Sequence, residues 1–241
     1  MCTLGASDGK YLFKTRDLWS ESDSTEEIIV GQGQYRYVGV RGHASPLEKG
    51  LNSGINDKGV AVAITFVDTV PLAEALTHKI PRGVLVEKIL SCCHDLASAV
   101  QIITDFMPQR LVGGNIIVAT PEGALVLEQL YPRFAIEYVT KEVTVRTNHF
   151  LNLLIEGEVL GNQENSHGRL PKMKSLLDTG EPASVQSIKK TLSDHSTPHP
   201  ICSHSGELHT VSAVVYDLNA AELHYAAGPP CCTTWELYAA R

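Results

Sequence analysis

Met1-Cys2-Thr3-Leu4-Gly5-Ala6-Ser7-Asp8-Gly9-Lys10-Tyr11-Leu12-Phe13-Lys14-Thr15-Arg16-Asp17 reads as a β-hairpin with a cysteine at its open end. Thr3–Ala6 and Tyr11–Thr15 have strand composition, and Ser7-Asp8-Gly9-Lys10 between them has the residues of a tight turn. A strand returning from such a turn brings Lys14 and Asp17 back beside residue 2.

Working outward, strand signals recur. Strand signals cover Tyr35–Arg41, Gly59–Val67, Gly113–Ala119, Ala124–Leu130, Phe134–Val139 and Val143–Asn148, with a Thr120–Gly123 turn joining two of them. A last group covers Thr210–Asp217, Ala221–Ala226 and Thr234–Ala239. Helical spacing of apolar residues marks Gly83–Cys93 and Leu96–Phe106, and a second pair at Arg169–Leu177 and Ser184–Leu192. Ser20–Glu27 and Asp194–Gly206 read as exposed loops. Hairpin-joined strands make antiparallel sheets, and two separated helix pairs can cover the outer faces of two stacked sheets. The expected fold is α+β: a four-layer αββα sandwich in one domain over residues 1–241.

Composition narrows the function. The 241 residues carry 27 acids against 20 Lys and Arg, a formal charge of −7. No basic stripe breaks this balance, which argues against nucleic acid as a partner. It argues as weakly against an anionic membrane surface as a partner. The longest apolar stretch, Val60–Val67, is about a third of a membrane span. The N-terminus has neither a basic start nor an apolar h-region, so the expected location is cytoplasmic. The six cysteines include two adjacent pairs, Cys92-Cys93 and Cys231-Cys232, and are expected as thiols. Cys92-Cys93 are expected to face the core.

Cys2 is where chemistry concentrates. Initiator methionine is generally removed before small residues, which would leave Cys2 with a free α-amine. Such an amine titrates at about 7.7–8.0, close to neutrality. It lies within reach of its own thiol, so one residue supplies both nucleophile and base. A cation nearby lowers a thiol pKa. Lys14 is placed to stabilise the thiolate, and Asp17 to hold the amine by a charge-assisted hydrogen bond.

The chain resembles the cysteine N-terminal-nucleophile (Ntn) hydrolases that include the acyl-CoA:6-aminopenicillanic acid acyltransferases (peptidase family C45). More distantly it resembles bile salt hydrolases and penicillin V acylases. Five segments carry the likeness: Met1-Cys2-Thr3, Lys14-Thr15-Arg16-Asp17, Gly54-Ile55-Asn56-Asp57-Lys58-Gly59-Val60-Ala61, Thr147-Asn148-His149-Phe150 and Ser166-His167-Gly168-Arg169. Asp194-His195, Ile201-Cys202-Ser203-His204 and Gly228-Pro229-Pro230-Cys231 add to it. The resemblance implies that Cys2 is the nucleophile and Asp17 the acid at its amine. Lys14 stands where bile salt hydrolases have an arginine. Asn56 and Asn148 match asparagines that form the oxyanion hole or position substrate, and Arg169 matches an arginine that organises the site. The implied reaction cleaves or transfers an acyl group at an amide through a Cys2 thioester, with no cofactor and no metal. Hydrolysis is favoured slightly, because it needs only water. The implied partner is a small-molecule or peptide amide substrate, and the resemblance permits homo-oligomers.

Two other readings compete. His195, His199, Cys202, His204 and His209 crowd one stretch, residue types that suit zinc, although no paired C-x₂-C or H-E-x-x-H spacing accompanies them. A non-catalytic binding module on the same fold would lack a use for the full ordered set of catalytic-type positions. Gly113-Gly114 opens no phosphate-binding helix and marks a strand start or bulge.

Overall fold

The first hairpin forms as the sequence predicts and seeds the smaller of two sheets. β1 (Cys2–Ser7) pairs antiparallel with β2 (Tyr11–Trp19), with Cys2 opposite Arg16 and Leu4 opposite Lys14. Lys10 N–H closes the turn on Ser7 O at 2.9 Å, and Gly9 supplies the positive φ of 62° that the turn requires. The computed structural model describes residues 1–7, 9–19, 25–43, 49–67, 77, 80–140, 142–153, 163–204 and 208–241.

Four further strands build the larger sheet first: β3 (Glu26–Gln32), β4 (Arg36–Gly42), β5 (Ser53–Asn56) and β6 (Ala61–Thr65). Next come helices α1 (Arg82–Cys92) and α2 (Leu96–Phe106). β7 (Gly114–Thr120), β8 (Gly123–Leu130) and β9 (Arg133–Val139) complete that sheet in the order β3-β4-β5-β6-β7-β8-β9. β10 (Thr144–Arg146) returns to the first hairpin. α3 (Glu164–Leu177) and α4 (Val185–Leu192) follow, then β11 (Leu208–Asp217), β12 (Glu222–Ala226) and β13 (Trp235–Ala239). The smaller sheet runs β10-β1-β2-β11-β12-β13. Every strand pair is antiparallel.

The layers follow from which side chains alternate inward. Leu4, Leu12, Val214 and Tyr216 of the smaller sheet meet Val38, Ile55, Ala63 and Ile117 of the larger one between the sheets. Burying each Leu, Ile or Val of this set stabilises by about 1.5–3 kcal/mol. The opposite face of the larger sheet packs Val62, Ile116 and Leu127 against Leu85, Ile89 and Ile103 of α1 and α2. The opposite face of the smaller sheet packs Phe13, Val145 and Val215 against Met173, Ile188 and Leu192 of α3 and α4. The result is the four-layer αββα sandwich expected from the sequence. Capping boxes fix two helix starts, Asp95 with Ser98 on α2 and Ser184 with Ser187 on α4.

The structure corrects three readings. Ser20–Ser24 lie outside the described residues, but Glu26 and Glu27 open β3 and are not loop. Glu26 is buried because its carboxylate pairs with Arg16 at 2.9 Å. α3 begins at Glu164, five residues before Arg169, since its first turn is polar and carries no apolar period. Cys93 is buried, whereas Cys92 is only half-buried. Among the described residues no helix is long and apolar enough to cross a membrane.

Candidate active site

The open end of the first hairpin forms a pocket between the two sheets. Cross-strand partners share a face, so Cys2, Lys14 and Arg16 continue the inward row of Leu4 and Leu12, where apolar core gives way to polar wall. The pocket, of about 210 Å³, is lined by Met1, Cys2, Lys14, Arg16, Asp17 and Leu18 from this hairpin. Leu51 and Asn52 from the approach to β5, and Ile64, Thr65 and Phe66 from the end of β6, complete much of the rest.

The β-ladders set what surrounds Cys2. Leu4 lies opposite Arg146 on β10, and the same register carried two residues on sets Asn148 opposite Cys2. The strand has ended there, and the Asn148 side chain takes over: its Oδ1 accepts the Cys2 backbone N–H at 3.0 Å. Asn148 Nδ2 donates to Thr65 Oγ1 (2.9 Å) and Phe66 O (2.8 Å), both in the pocket wall. Its own N–H is held by Ser166 Oγ at 2.8 Å. On the other flank Met1 and Asp17 form the last rung, with Met1 N–H donating to Asp17 O and Asp17 N–H to Met1 O.

Thr3, Thr15 and Asp17 point to the opposite face, beneath α3. Arg169 descends from that helix, fully buried, and donates to Thr3 Oγ1 at 2.5 Å, to Asn148 Oδ1 at 2.7 Å and to Asn165 Oδ1 at 2.9 Å. Its guanidinium lies 3.8 Å from Asp17 Oδ2. Burial pulls the Arg169 pKa down, while Asp17 and Cys2 oppose that shift. A guanidinium keeps its proton regardless. Asp17 Oδ1 accepts from Thr210 Oγ1 at 2.7 Å. A β-bulge between Thr210 and Ser212 of β11 lies directly opposite Asp17 and Arg16, where such irregularities re-aim side chains.

Five of the six predicted residues therefore converge: Cys2, Lys14, Asp17, Asn148 and Arg169. The Asp17 carboxylate faces Arg169 and Thr210, on the far side of the strand from the thiol. Lys14 is buried and donates to Asn52 Oδ1 (3.2 Å) and Asn52 O (3.4 Å). Asn56 does not line the pocket. Its Nδ2 donates to Leu90 O (2.9 Å) and Cys93 O (2.7 Å), and its Oδ1 accepts from Lys58 N–H and Val60 N–H. That amide joins the β5–β6 turn to the end of α1. Asn52, Glu26, Thr3, Thr65 and Thr210 belong to the pocket or its support and were not singled out from sequence. Only the hairpin register, extended across the sheet, could have signalled Thr3 and Thr210. Burial pushes the Cys93 thiol up to about 11, so it stays protonated at neutral pH.

A family model described as acyl-coenzyme A:6-aminopenicillanic acid acyl-transferase matches residues 5–231. The chain belongs to that family. It is thus an enzyme of the cysteine Ntn class, whose chemistry is acyl transfer or amide cleavage. The matched span opens three residues after Cys2, so the place of the cysteine rests on the geometry above. Solved structures share the fold. The C2A mutant of conjugated bile acid hydrolase from Clostridium perfringens superposes with a TM-score of 0.63 at 10% identity, over 99% of this chain and 96% of that one. Penicillin V acylase from Agrobacterium tumefaciens gives 0.62 at 13% identity, over 98% and 84%. The Caenorhabditis elegans ortholog of N-acylethanolamine-hydrolyzing acid amidase gives 0.62 at 14% identity, over 90% and 93%. No match emerges among curated proteins.

Proposed function

We propose that this chain, once the Met1–Cys2 bond is cleaved, uses the Cys2 thiol to take an acyl group from an amide and passes it to water or an amine. The supporting observation is the position of Cys2. Its side chain lies in the pocket, and its backbone nitrogen is already held by Asn148, itself held by Arg169. Cleavage turns that nitrogen into an amine with the ordinary α-amine pKa range, next to its own thiol. It also removes Met1 from the pocket wall and vacates Asp17 N–H and Asp17 O beside the new terminus.

The roles follow from donors and charges. The amine takes the thiol proton, and the thiolate attacks the carbonyl carbon. The Lys14 ammonium on the pocket wall supplies charge and a hydrogen bond to the oxyanion, while Asn148, whose two N–H groups are held by Thr65 and Phe66, positions the Cys2 nitrogen. A single preorganised donor of this kind contributes about 3–4 kcal/mol to the transition state. The amine proton goes to the leaving nitrogen, the C–N bond breaks, and a Cys2 thioester remains. Water attacking that thioester releases a carboxylic acid and restores the thiol; an amine attacking it gives a new amide. Water needs no binding site of its own, so hydrolysis is the default outcome. Arg169 and Asp17 position the Cys2 nitrogen and Asn148 without touching substrate. The substrate is a small molecule or peptide carrying an acyl amide, with an apolar acyl portion that fits against Leu18, Leu51, Ile64 and Phe66.

Intact mass before and after reaction with a cysteine-directed acyl probe tests this reading. Protein lacking Met1 should gain one acyl group, and Cys2→Ala should gain none and turn over no amide while keeping its melting temperature. Labelling or turnover that survives Cys2→Ala would sink the proposal.

A further inference from the structure

The stretch between α4 and β11 and the turn between β12 and β13 together hold a second cluster that the acyl chemistry does not use. One ligand atom each from His195, His204 and Cys231 lies within 4.8 Å of the other two. Cys202 Sγ lies 3.6 Å from Cys231 Sγ. Two sulfurs bound to one tetrahedral zinc, each at about 2.3 Å, stand about 3.8 Å apart. His195 Nδ1 lies 3.2 Å from Ser193 O. A carbonyl only accepts, so Nδ1 carries the proton and Nε2 keeps its lone pair for a metal, the usual way a backbone oxygen orients a ligating imidazole.

We propose that His195, His204 and Cys231 bind a zinc ion and that Cys202, beside Cys231 but outside that 4.8 Å group, closes the site as the fourth tetrahedral ligand. The donor set argues for the metal. Two thiolates with two imidazoles select zinc over magnesium or calcium, which take oxygen. Binding displaces one proton from each thiol, so a divalent ion and two thiolates leave the site neutral. The four residues come from two separate segments, 195–204 and the turn between β12 and β13, and both are shaped locally to present them. Ile201 N–H and Cys202 N–H both donate to Asp194 O, at 3.0 and 2.8 Å. Pro229 O accepts from Cys232 N–H and Thr233 N–H, folding the turn that exposes Cys231. His199 and His209, expected in the same group, go elsewhere: the His199 ring covers Gly168, and His209 pairs with Leu18 in the sheet.

The position links the metal to the first site. Ser203 lies between the ligands Cys202 and His204. Its N–H donates to Thr210 Oγ1 at 2.8 Å, and Thr210 Oγ1 donates to Asp17 Oδ1 at 2.7 Å. The zinc therefore fixes the loop from which Asp17 is held.

The test uses the full chain, reduced, supplied with zinc and freed of excess by gel filtration, with metal read by plasma mass spectrometry. The Cys2→Ala background removes a rival thiol. The expected result is about one zinc per chain. Cobalt in its place should give the intense visible bands of a tetrahedral centre with a thiolate charge-transfer band, a readout that needs no ligand variant. Cys231→Ser should retain less than about a tenth of the zinc, and Cys232→Ser all of it. Failure of the wild-type chain to hold zinc would overturn the site. So would full retention by Cys231→Ser or an octahedral cobalt spectrum. None of these readouts depends on turnover at Cys2.

Discussion

At the scale of single residues, the network around Cys2 is a problem of buried charge. Arg169 is as deeply buried as any side chain here, and an isolated buried cation costs several kcal/mol. Four oxygens, on Thr3, Asn148, Asn165 and Asp17, offset that cost. His149 beside them shows the opposite solution. Burial, then the charges of His167 and Arg169, push its pKa down to about 4, so it stays neutral, bonded to Ser166 Oγ at 2.8 Å and stacked on His167. The consequence for stability has a definite sign. The unfolded histidine titrates near 6.5, so between pH 6.5 and about 4 the unfolded chain binds the extra proton. Stability is therefore lost as pH falls through that window, by at most ~1.4 kcal/mol per pH unit from this group. Urea denaturation at pH 7, 5.5 and 4.5 should show a shallower fall for His149→Gln than for the wild type. Equal slopes would mean that His149 is protonated in the folded protein.

At the scale of elements, Asn56 separates two meanings of a motif. The Gly54–Ala61 segment carries part of the resemblance, yet its asparagine holds a turn and a helix end, with both amide ends occupied. Asn56→Ala strands two carbonyls and two N–H groups and should cost ~2–4 kcal/mol. Turnover per folded molecule should stay within about twofold, checked by kcat at a temperature where both proteins are folded. A large fall in kcat at unchanged stability would return Asn56 to the reaction. The same distinction explains what sequence could reveal. Near-continuous apolar runs gave away β7, β8 and β11, because both faces of these strands are buried, and helical spacing gave away α1 and α2. β5 is four residues long and contains Ser53 and Asn56; β3 begins with two glutamates. Their polarity reads as loop until the partner is known, and for Glu26 that partner is Arg16 on the other sheet. Cys2, Lys14 and Asp17 were legible because one tight hairpin sets their register. Asn52 and Thr210 reach the site only through long-range pairing, and a bulge adds an offset that no periodicity carries.

At the scale of the molecule, apolar rows join the two sheets, and buried polar pairs, among them Arg146 with Glu128 at 3.0 Å, tie them at separate points. Glu26 on the larger sheet accepts from Arg16 of β2 (2.9 Å), from Asn52 Nδ2 (3.3 Å) and from Tyr225 Oη of β12 (3.0 Å). Asn52 in turn receives Lys14, so the same cluster that anchors one sheet to the other also places the pocket's cation. Tyr216 Oη to Ser53 Oγ, at 2.8 Å, adds a further polar link deeper in the core. Such links add direction to an interface that apolar packing alone would leave free to slide, because each bond tolerates only a narrow geometry. Glu26→Gln keeps the shape and one acceptor but removes the charge that faces Arg16. Breaking a buried pair in this way should cost ~3–5 kcal/mol, whereas Tyr225→Phe, which removes one hydrogen bond and leaves the ion pair, should cost about 1 kcal/mol. Activity separates the two further. Displacing Asn52 shifts Lys14, so Glu26→Gln should lower kcat more than Tyr225→Phe does, measured on fully folded protein. Equal stability losses for the two variants would mean that the ion pair contributes no more than a single neutral hydrogen bond.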